Sequence, residues 1–378
     1  MTILRLCFIG PANNVTFRRW AEWFTARGHE TTVLTVEPTR EAHHFRQIDL
    51  SCNYGGRKVG RIVSAVRLAS VVRRLRPDVV HVHYVKGLAW GVSMIRFCPI
   101  VVTPWGNDVL EEQGAFKEWY SCPLTKKLFA SANIVAVHSN YMESRVRSLL
   151  PTGVRVVRIG WGINLQAFRS GLDVETLRRR WNIGWDQPVI FSPRLAQPFY
   201  RHDLVIRALL LIQRESPRVV LVISEQFPDV EYLCKLRKLV VDLKLDDHVR
   251  FIGSIPYSDM PLWMNLTHIM IMVPQSDGMP NTLWEAMACG ALPVLNRLPQ
   301  YAEVIKDGIN GLLVEPEPTD MARVILQGLV NLELKANAGL RNRELVKTMA
   351  DQDQEMARME GWYESLRETW PAPVAVGG

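Results

Sequence analysis

Several familiar signals are missing from this 378-residue chain. No run of about 18 uncharged apolar residues occurs, so no segment is long and apolar enough to cross a bilayer as a helix. The six cysteines are scattered and include no Cys-x-x-Cys pair. That argues against a zinc site and for a reducing cytoplasm, where most thiols act as small buried hydrophobes. Neither half carries Gly-x-Gly-x-x-Gly after its first strand; the N-terminal turn reads Gly10-Pro11-Ala12-Asn13-Asn14. With no Walker loop either, the usual cradles for a nicotinamide dinucleotide or a nucleoside triphosphate are absent. Residues 3–9, with Arg5 inside and Gly10 directly after, read as a first strand and lack the long apolar core of a signal peptide. No helix-turn-helix, zinc finger or aromatic ribonucleoprotein motif accompanies the formal net charge of +7, so nucleic acid is not the expected partner. The charge suits an anionic ligand or an anionic membrane surface.

What is present is a soluble globular composition, 48% hydrophobic and 22% charged, in a chain too long for one ordinary core. Residues 3–9, 31–36, 79–83, 100–103, 134–137 and 155–159 are short β-rich runs. Helical periodicity at 15–27 and 62–75 falls between them. A second series of strands, at 188–192, 219–224, 249–252, 269–273, 292–295 and 311–314, alternates with helices near 203–214, 230–244, 259–265 and 281–289. Short, continuously apolar strands are those of a parallel sheet covered on both faces. The fold class expected is therefore α/β, with two Rossmann-like domains over residues 1–170 and 171–350. Residues 351–370 carry Met356, Met359, Trp362, Tyr363 and Leu366 at helical spacing, and are expected to pack back on the first domain.

The most informative stretch runs from Pro274 to Gly290. An apolar strand leads into a polar turn and then a helix, with Asn281 or Thr282 as the expected N-cap and Gly290 as the stop. The free N–H groups and partial positive charge of that helix start suit a phosphate or a sugar hydroxyl. Asp277 in the turn and Glu285 on the helix add two carboxylates. Asp246-Asp247 and Asp351-Gln352-Asp353 fall in a polar turn and at a helix start, where capping explains them better than a metal.

Ser276-Asp277-Gly278-Met279-Pro280-Asn281 followed by Glu285-Ala286-Met287-Ala288-Cys289-Gly290 resembles the signature of glycosyltransferase family 4, a retaining family of the GT-B class. Further matches, in the same order, are Arg27-Gly28-His29-Glu30, Thr103-Pro104-Trp105-Gly106-Asn107-Asp108, Gly160-Trp161-Gly162-Ile163-Asn164, Pro193-Arg194-Leu195 and Phe251-Ile252-Gly253. The resemblance covers roughly residues 3 to 330. It implies an active site in the cleft between the domains, a nucleotide-diphosphate sugar as co-substrate, no cofactor and no metal. Carried over by position, Glu285 would hold the donor ribose hydroxyls, since a carboxylate can accept from both. Asp277 stands where the family usually has glutamate, near the donor sugar. Gly278, Met279, Pro280, Asn281 and Thr282 would present the turn and helix start to the sugar and diphosphate, although Pro280 has no N–H. Arg194 would clamp the diphosphate, with Arg201 replacing the usual lysine. Gly10 matches the glycine of the first loop, with Asn13 and Asn14 as a site or a plain turn. Trp105 occupies the family's histidine position and cannot act as a base. Asn107 or Asp108 could bond donor or acceptor, or Asp108 could simply cap a helix. His83 is expected at the crevice end of its strand, with His81 as a satisfied core residue.

The implied reaction moves a hexose-type sugar to a hydroxyl of a glycan or lipid-linked acceptor, for cell-surface polysaccharide or glycolipid synthesis, through a front-face route. Alternatives are a sugar-nucleotide epimerase of the same architecture, a phosphorylase, or a non-catalytic sugar-nucleotide-binding partner. Arg57, Lys58, Arg61, Arg67, Arg73, Arg74 and Arg76, together with Phe17, Trp20, Trp23 and Phe24 on the first helix, could dock on anionic lipid. The expected location is cytoplasmic, peripheral on the inner face of the membrane.

Overall fold

The computed structural model describes residues 2–52, 56–106, 108–110 and 121–370, with the side chains of 56–59, 61–62 and 121–122 outside that description. The chain divides into two compact units, 1–161 with 353–378, and 162–352.

The first unit contains β1 (Arg5–Ile9), α1 (Val15–Ala26), β2 (Glu30–Thr35), β3 (Arg46–Asp49), α2 (Gly56–Leu75), β4 (Val79–His83), β5 (Ile100–Thr103), α3 (Ser121–Ala130), β6 (Ile134–Val137), α4 (Asn140–Arg147) and β7 (Arg155–Arg158). Its seven strands are all parallel, in the order β3-β2-β1-β4-β5-β6-β7. Added strands run outward in opposite directions from β1 and β4, so the topological switch point lies between those two. One strand escapes the sequence reading. β3 is Arg-Gln-Ile-Asp at the sheet edge with both ends exposed, so it has no apolar run to betray it.

The second unit contains α5 (Glu175–Arg180), β8 (Val189–Ser192), α6 (His202–Glu215), β9 (Val220–Ile223), α7 (Val230–Asp242), β10 (Val249–Phe251), α8 (Met260–Leu266), β11 (Ile269–Met272), α9 (Asn281–Cys289), β12 (Leu292–Asn296), β13 (Leu312–Val314), α10 (Pro318–Val330) and α11 (Leu332–Met349). Its six parallel strands run β10-β9-β8-β11-β12-β13, with the switch point between β8 and β11. Fully buried strands such as Val-Leu-Val-Ile of β9 and Ile-Met-Ile-Met of β11 are what two-sided helix cover requires.

The last described helix, α12 (Gln352–Thr369), belongs almost wholly to the first unit. Met356, Met359 and Tyr363 are fully buried among Phe8, Phe17, Trp20 and Phe24. Glu360 ties it further, receiving hydrogen bonds from Arg27 at 3.2 and 2.9 Å and contacting His29 Nε2 at 2.7 Å. The unit boundary falls at 161/162, earlier than the expected 170/171. The Ile163 N–H donates to Ala350 O at 2.8 Å, Gln352 N–H donates back to Ile163 O at 3.1 Å, and Phe168 is buried in the second core. Gly162 makes that close pass possible. Its φ is +65°, and an added Cβ would sit 2.4 Å from Gln352 Cα.

Candidate active site

In the second unit, the expected residues converge where the fold has its switch point. Arg194 follows β8 and Asp277 follows β11, and those strands are neighbours. The result is an Arg194 Nη2 to Asp277 Oδ2 ion pair of 3.1 Å, with side chains only 17% and 12% exposed. The Arg194 guanidinium lies 4.8 Å over the Tyr200 ring and donates to the Tyr200 hydroxyl at 3.4 Å. The Tyr301 hydroxyl donates to Asp277 Oδ2 at 3.0 Å, the Gly278 N–H donates to Oδ1 at 2.8 Å, and Gln300 Nε2 donates to the Asp277 carbonyl at 2.6 Å. Burial alone would lower the Arg194 pKa, but Asp277, Tyr200 and Tyr301 outweigh it and hold the charge more firmly than usual. Burial, followed by the neighbouring Asp277 charge, pushes the Tyr301 phenol well above its ordinary value, so it stays a donor.

Asp277 therefore spends one oxygen on Arg194 and Tyr301 and the other on its own turn. The sequence alone gives no sign of this pairing. The short aspartate side chain, fixed by the Gly278 amide, reaches the guanidinium that follows the adjacent strand. The Gly278 N–H is consumed in the same way and is not free for a ligand. The helix start also differs from expectation. Pro280 is the N-cap of α9 and gives no side-chain cap, while Gly290 ends the helix in the left-handed region as expected. Among the described residues no acceptor meets the N–H groups of Met279, Asn281 or Thr282. Met279 and Pro280 are buried, and Asn281 and Thr282 half-buried.

Five buried polar side-chain atoms without partners belong to the same segments: Arg194 Nε, Ser276 Oγ, Asn281 Nδ2, Asn296 Oδ1 and Gln300 Oε1. Such orphans are uncommon in a folded core, and each costs about 1–3 kcal/mol unless something outside the chain satisfies it. Donors and acceptors are both represented, with one firmly charged guanidinium among them. That mixture suits an anion bearing hydroxyls.

Glu285 lies on α9 at 4% exposure and accepts from the Tyr257 hydroxyl at 2.9 Å. It and Asp277 thus have different partners, which separates two carboxylates that the sequence shows as one pair. Arg201 sits between a short 3-10 turn and α6 with left-handed backbone, φ +54°, and its half-buried side chain has no ion-pair or hydrogen-bond partner among the described residues. Its neighbour His202 is fully buried between Ser192 Oγ (2.8 Å) and the Leu195 carbonyl (2.9 Å), and burial lowers its pKa to about 4.

In the first unit, Gly10 follows β1, and a Cβ there would lie 2.7 Å from the Phe17 ring, so no larger residue fits without movement. Asn14 caps α1 by accepting from Thr16 N and Phe17 N at 2.9 and 3.3 Å, which is the plain-turn alternative; Asn13 is exposed. Asp108 is 6% exposed and accepts from the N–H groups of Val85, Trp105 and Gly106, each at 2.9 Å. Its carboxylate ties two loops together, although burial raises its pKa against those bonds. Asn107 lies outside the described residues. His81 is satisfied on both nitrogens, by the Tyr363 hydroxyl and by Thr103 Oγ1 at 2.7 Å, whereas His83 at the end of β4 has neither nitrogen bonded. Among the described residues no three His, Cys, Asp or Glu side chains converge to hold a metal. The aromatic part of the expected lipid-docking face is absent: Phe17, Trp20 and Phe24 are buried against the sheet, and Trp23 Nε1 donates to Asp353 at 2.7 Å. Arg67, Arg73, Arg74 and Arg76 are exposed, while the side chains of Arg57, Lys58 and Arg61 lie outside the described residues. Among the described residues no helix is long and apolar enough to cross a membrane.

Sequence reasoning missed Tyr200, Tyr257, Gln300 and Tyr301. Each stands in a loop shortly after a strand's C-terminal end, which is the one signal that could have flagged them.

Two doubly wound parallel sheets, the second with an arginine and a helix start at its switch point, define a protein of the GT-B class. The model of the family described as "Glycosyl transferases group 1" matches residues 173–344, and that described as "Glycosyl transferase 4-like" matches residues 5–139. The chain belongs to glycosyltransferase family 4. It is 26% identical over 214 residues to a GDP-mannose-dependent alpha-(1-6)-phosphatidylinositol monomannoside mannosyltransferase of Mycolicibacterium smegmatis, covering 53% of this chain and 55% of that one. It is 23% identical to the N-acetyl-alpha-D-glucosaminyl L-malate synthase of Bacillus anthracis, over 80% of this chain and 79% of that one. The match thus spans little more than half the length of the first relative. HepE of Anabaena, solved in complex with UDP and glucose, superposes with a TM-score of 0.81 at 16% identity, covering 96% of this chain and 100% of that one; at that identity the likeness is one of fold.

Proposed function

We propose that this chain is a metal-independent, retaining hexosyltransferase that moves a sugar from a nucleotide diphosphate to a hydroxyl of a glycan or lipid-linked acceptor. The observation that carries the proposal is the cluster around Arg194. One partly buried guanidinium, three unpaired backbone N–H groups and five orphaned polar atoms gather at the switch point of the second sheet. Diphosphate oxygens suit the guanidinium and the start of α9; sugar hydroxyls suit Asn281, Asn296 and Gln300. Glu285, whose Oε1 accepts from the Tyr257 hydroxyl, is the residue assigned to the ribose hydroxyls, which a carboxylate can accept from. The mannosyltransferase relative, GDP-mannose-dependent and acting on a phosphatidylinositol monomannoside, and HepE, bound to UDP and glucose, support a nucleotide-sugar donor; the former supports a lipid-linked acceptor.

The chemistry assigned to the protein is stabilisation of leaving-group charge. As the bond from the anomeric carbon to the diphosphate oxygen breaks, Arg194, Arg201 and the α9 N–H groups offset the negative charge that develops. The freed diphosphate takes the acceptor proton, so no side-chain base is needed. Asp277, itself held by the Tyr301 hydroxyl, pairs directly with the Arg194 fork and thereby positions it. Gly10 and Asp108 shape the loops of the first unit. Testing the donor requires incubation with a panel of UDP- and GDP-sugars and mass detection of released nucleotide. Release from at least one donor is expected, and binding without release from any would favour a non-catalytic sugar-nucleotide-binding role.

A further inference from the structure

Three side chains at the C-terminal edge of the first sheet share an unusual property. His83 Nδ1 and Nε2, His138 Nε2 and Trp105 Nε1 are all buried and all without a hydrogen-bond partner. They follow or end three adjacent strands, β4, β6 and β5, and all pack on one ring. The Trp161 centroid lies 5.1 Å from His83, 4.8 Å from His138 and 5.2 Å from Trp105. His81, two residues before His83 on the same strand face, is the internal contrast: both its nitrogens are bonded within the chain. A core histidine can be satisfied here, and His83, only 1% exposed, is not. Leaving four such atoms unmet in a folded core is costly, and native structures rarely do so.

We propose that Trp161, His83, His138 and Trp105 form a subsite for an uncharged sugar ring, the ring that carries or adjoins the accepting hydroxyl. The inference rests on the glycosyl-transfer reading and names its acceptor class.

Donor and acceptor capacities decide the class. His138 Nδ1 faces the Ile159 carbonyl at 2.9 Å, so it carries the proton and leaves Nε2 as an acceptor. His83 offers one donor and one acceptor, and Trp105 one donor. Burial drives both histidines toward the neutral form, His138 to about 4 and His83 well below its ordinary value. Two donors and two acceptors beside an indole face match hydroxyls, each of which both gives and takes a hydrogen bond. The charged side chain bonded to this group is an anion, Asp108, which accepts from the Trp105 backbone N–H at 2.9 Å. A phosphate or carboxylate placed there would meet two acceptor nitrogens and no cation, which disfavours an anionic ring.

Saturation-transfer NMR on the full chain tests this, with methyl α-D-mannopyranoside and methyl α-D-glucopyranoside, their 6-phosphates, and UDP and GDP as nucleotide controls. Saturation should pass to at least one neutral glycoside and be at least about 5-fold weaker for its 6-phosphate. His83→Phe, which keeps a ring but removes both nitrogens, should weaken glycoside binding by about 5-fold or more, His83→Gln should restore part of it, and nucleotide binding should not change. Trp105→Phe repeats the test without touching β4. Nucleotide binding without glycoside binding, an equal or stronger 6-phosphate signal, or variants indistinguishable from wild type would overturn the subsite, waters alone then filling it. Failure of the wild type to bind either nucleotide would overturn the donor reading beneath it.

Discussion

Arg194→Ala removes the charged donor at the centre of the candidate site. The guanidinium makes a 3.1 Å ion pair with Asp277 and stacks on Tyr200, and both charged side chains are less than one-fifth exposed. Removing one member of a buried pair costs about 3–5 kcal/mol. Here Asp277 would retain the Tyr301 hydroxyl and the Gly278 amide, and some solvent, so a loss nearer 2–3 kcal/mol is expected. For a unit of this size that corresponds to roughly 5–10 °C in Tm. Turnover should fall much further than the stability loss can explain at an assay temperature well below the melt. Loss of a principal stabiliser of leaving-group charge is worth about 10²-fold or more, near 2.7 kcal/mol in the barrier. Asp277→Asn separates the two effects. It keeps an acceptor for Tyr301 but removes the charge that holds Arg194, so kcat should drop by about 10-fold while nucleoside affinity stays constant. A continuous assay of released nucleotide diphosphate, with melting curves on the same samples, reads both quantities. Arg194→Ala with kcat within a few-fold of wild type would refute the leaving-group role.

Glu285→Ala should weaken nucleotide-diphosphate binding by roughly 10-fold or more, as expected for hydrogen bonds to a charged acceptor, and unchanged affinity by calorimetry would remove the ribose assignment. Stability should fall as pH drops from 6.5 toward 4, because burial depresses His138, His202 and His268 to about 4. The unfolded chain binds those protons first, so each group's contribution is complete above 6.5 and declines by about 1.4 kcal/mol per unit below it. A melting temperature equal at pH 5 and pH 7.5 would contradict that account, and His202→Gln should flatten the slope. The exposed Arg67, Arg73, Arg74 and Arg76 predict flotation with vesicles containing anionic phosphatidylglycerol and not with phosphatidylcholine alone. Equal recovery with both would end the membrane proposal.

Much of the fold could be read in advance because its strands are short, apolar and bounded by turns. β9 and β11 have no other plausible reading once buried on both faces. β3 could not be read that way, since a four-residue polar edge strand is recognised only by the partner it pairs with. The 161/162 boundary depends on the Ile163–Ala350 pairing, a contact between segments far apart in sequence. At the candidate site, motif spacing placed Arg194 and Asp277 just after two strands and Glu285 on the helix that follows the second. It could not show that Asp277 turns toward Arg194, because that depends on which strands are neighbours and on a tyrosine 24 positions later. The basic, aromatic first helix misled for a related reason. Hydrophobic periodicity reports a buried face without saying whether sheet or lipid covers it, and here the sheet does. His81 and His83 differ in sequence only by their place along one strand; the hydroxyls of Tyr363 and Thr103 supply the physical difference.

The central claim is that a sugar leaves a nucleotide diphosphate held at the Arg194–α9 turn and reaches an acceptor hydroxyl with its configuration kept. Proton NMR of the reaction, run with the α-linked nucleotide sugar that supports turnover and a glycoside acceptor, tests it most directly. An α-linked product signal is expected from its first appearance; a β-linked product, or donor consumption with no transferred sugar, would refute retaining transfer.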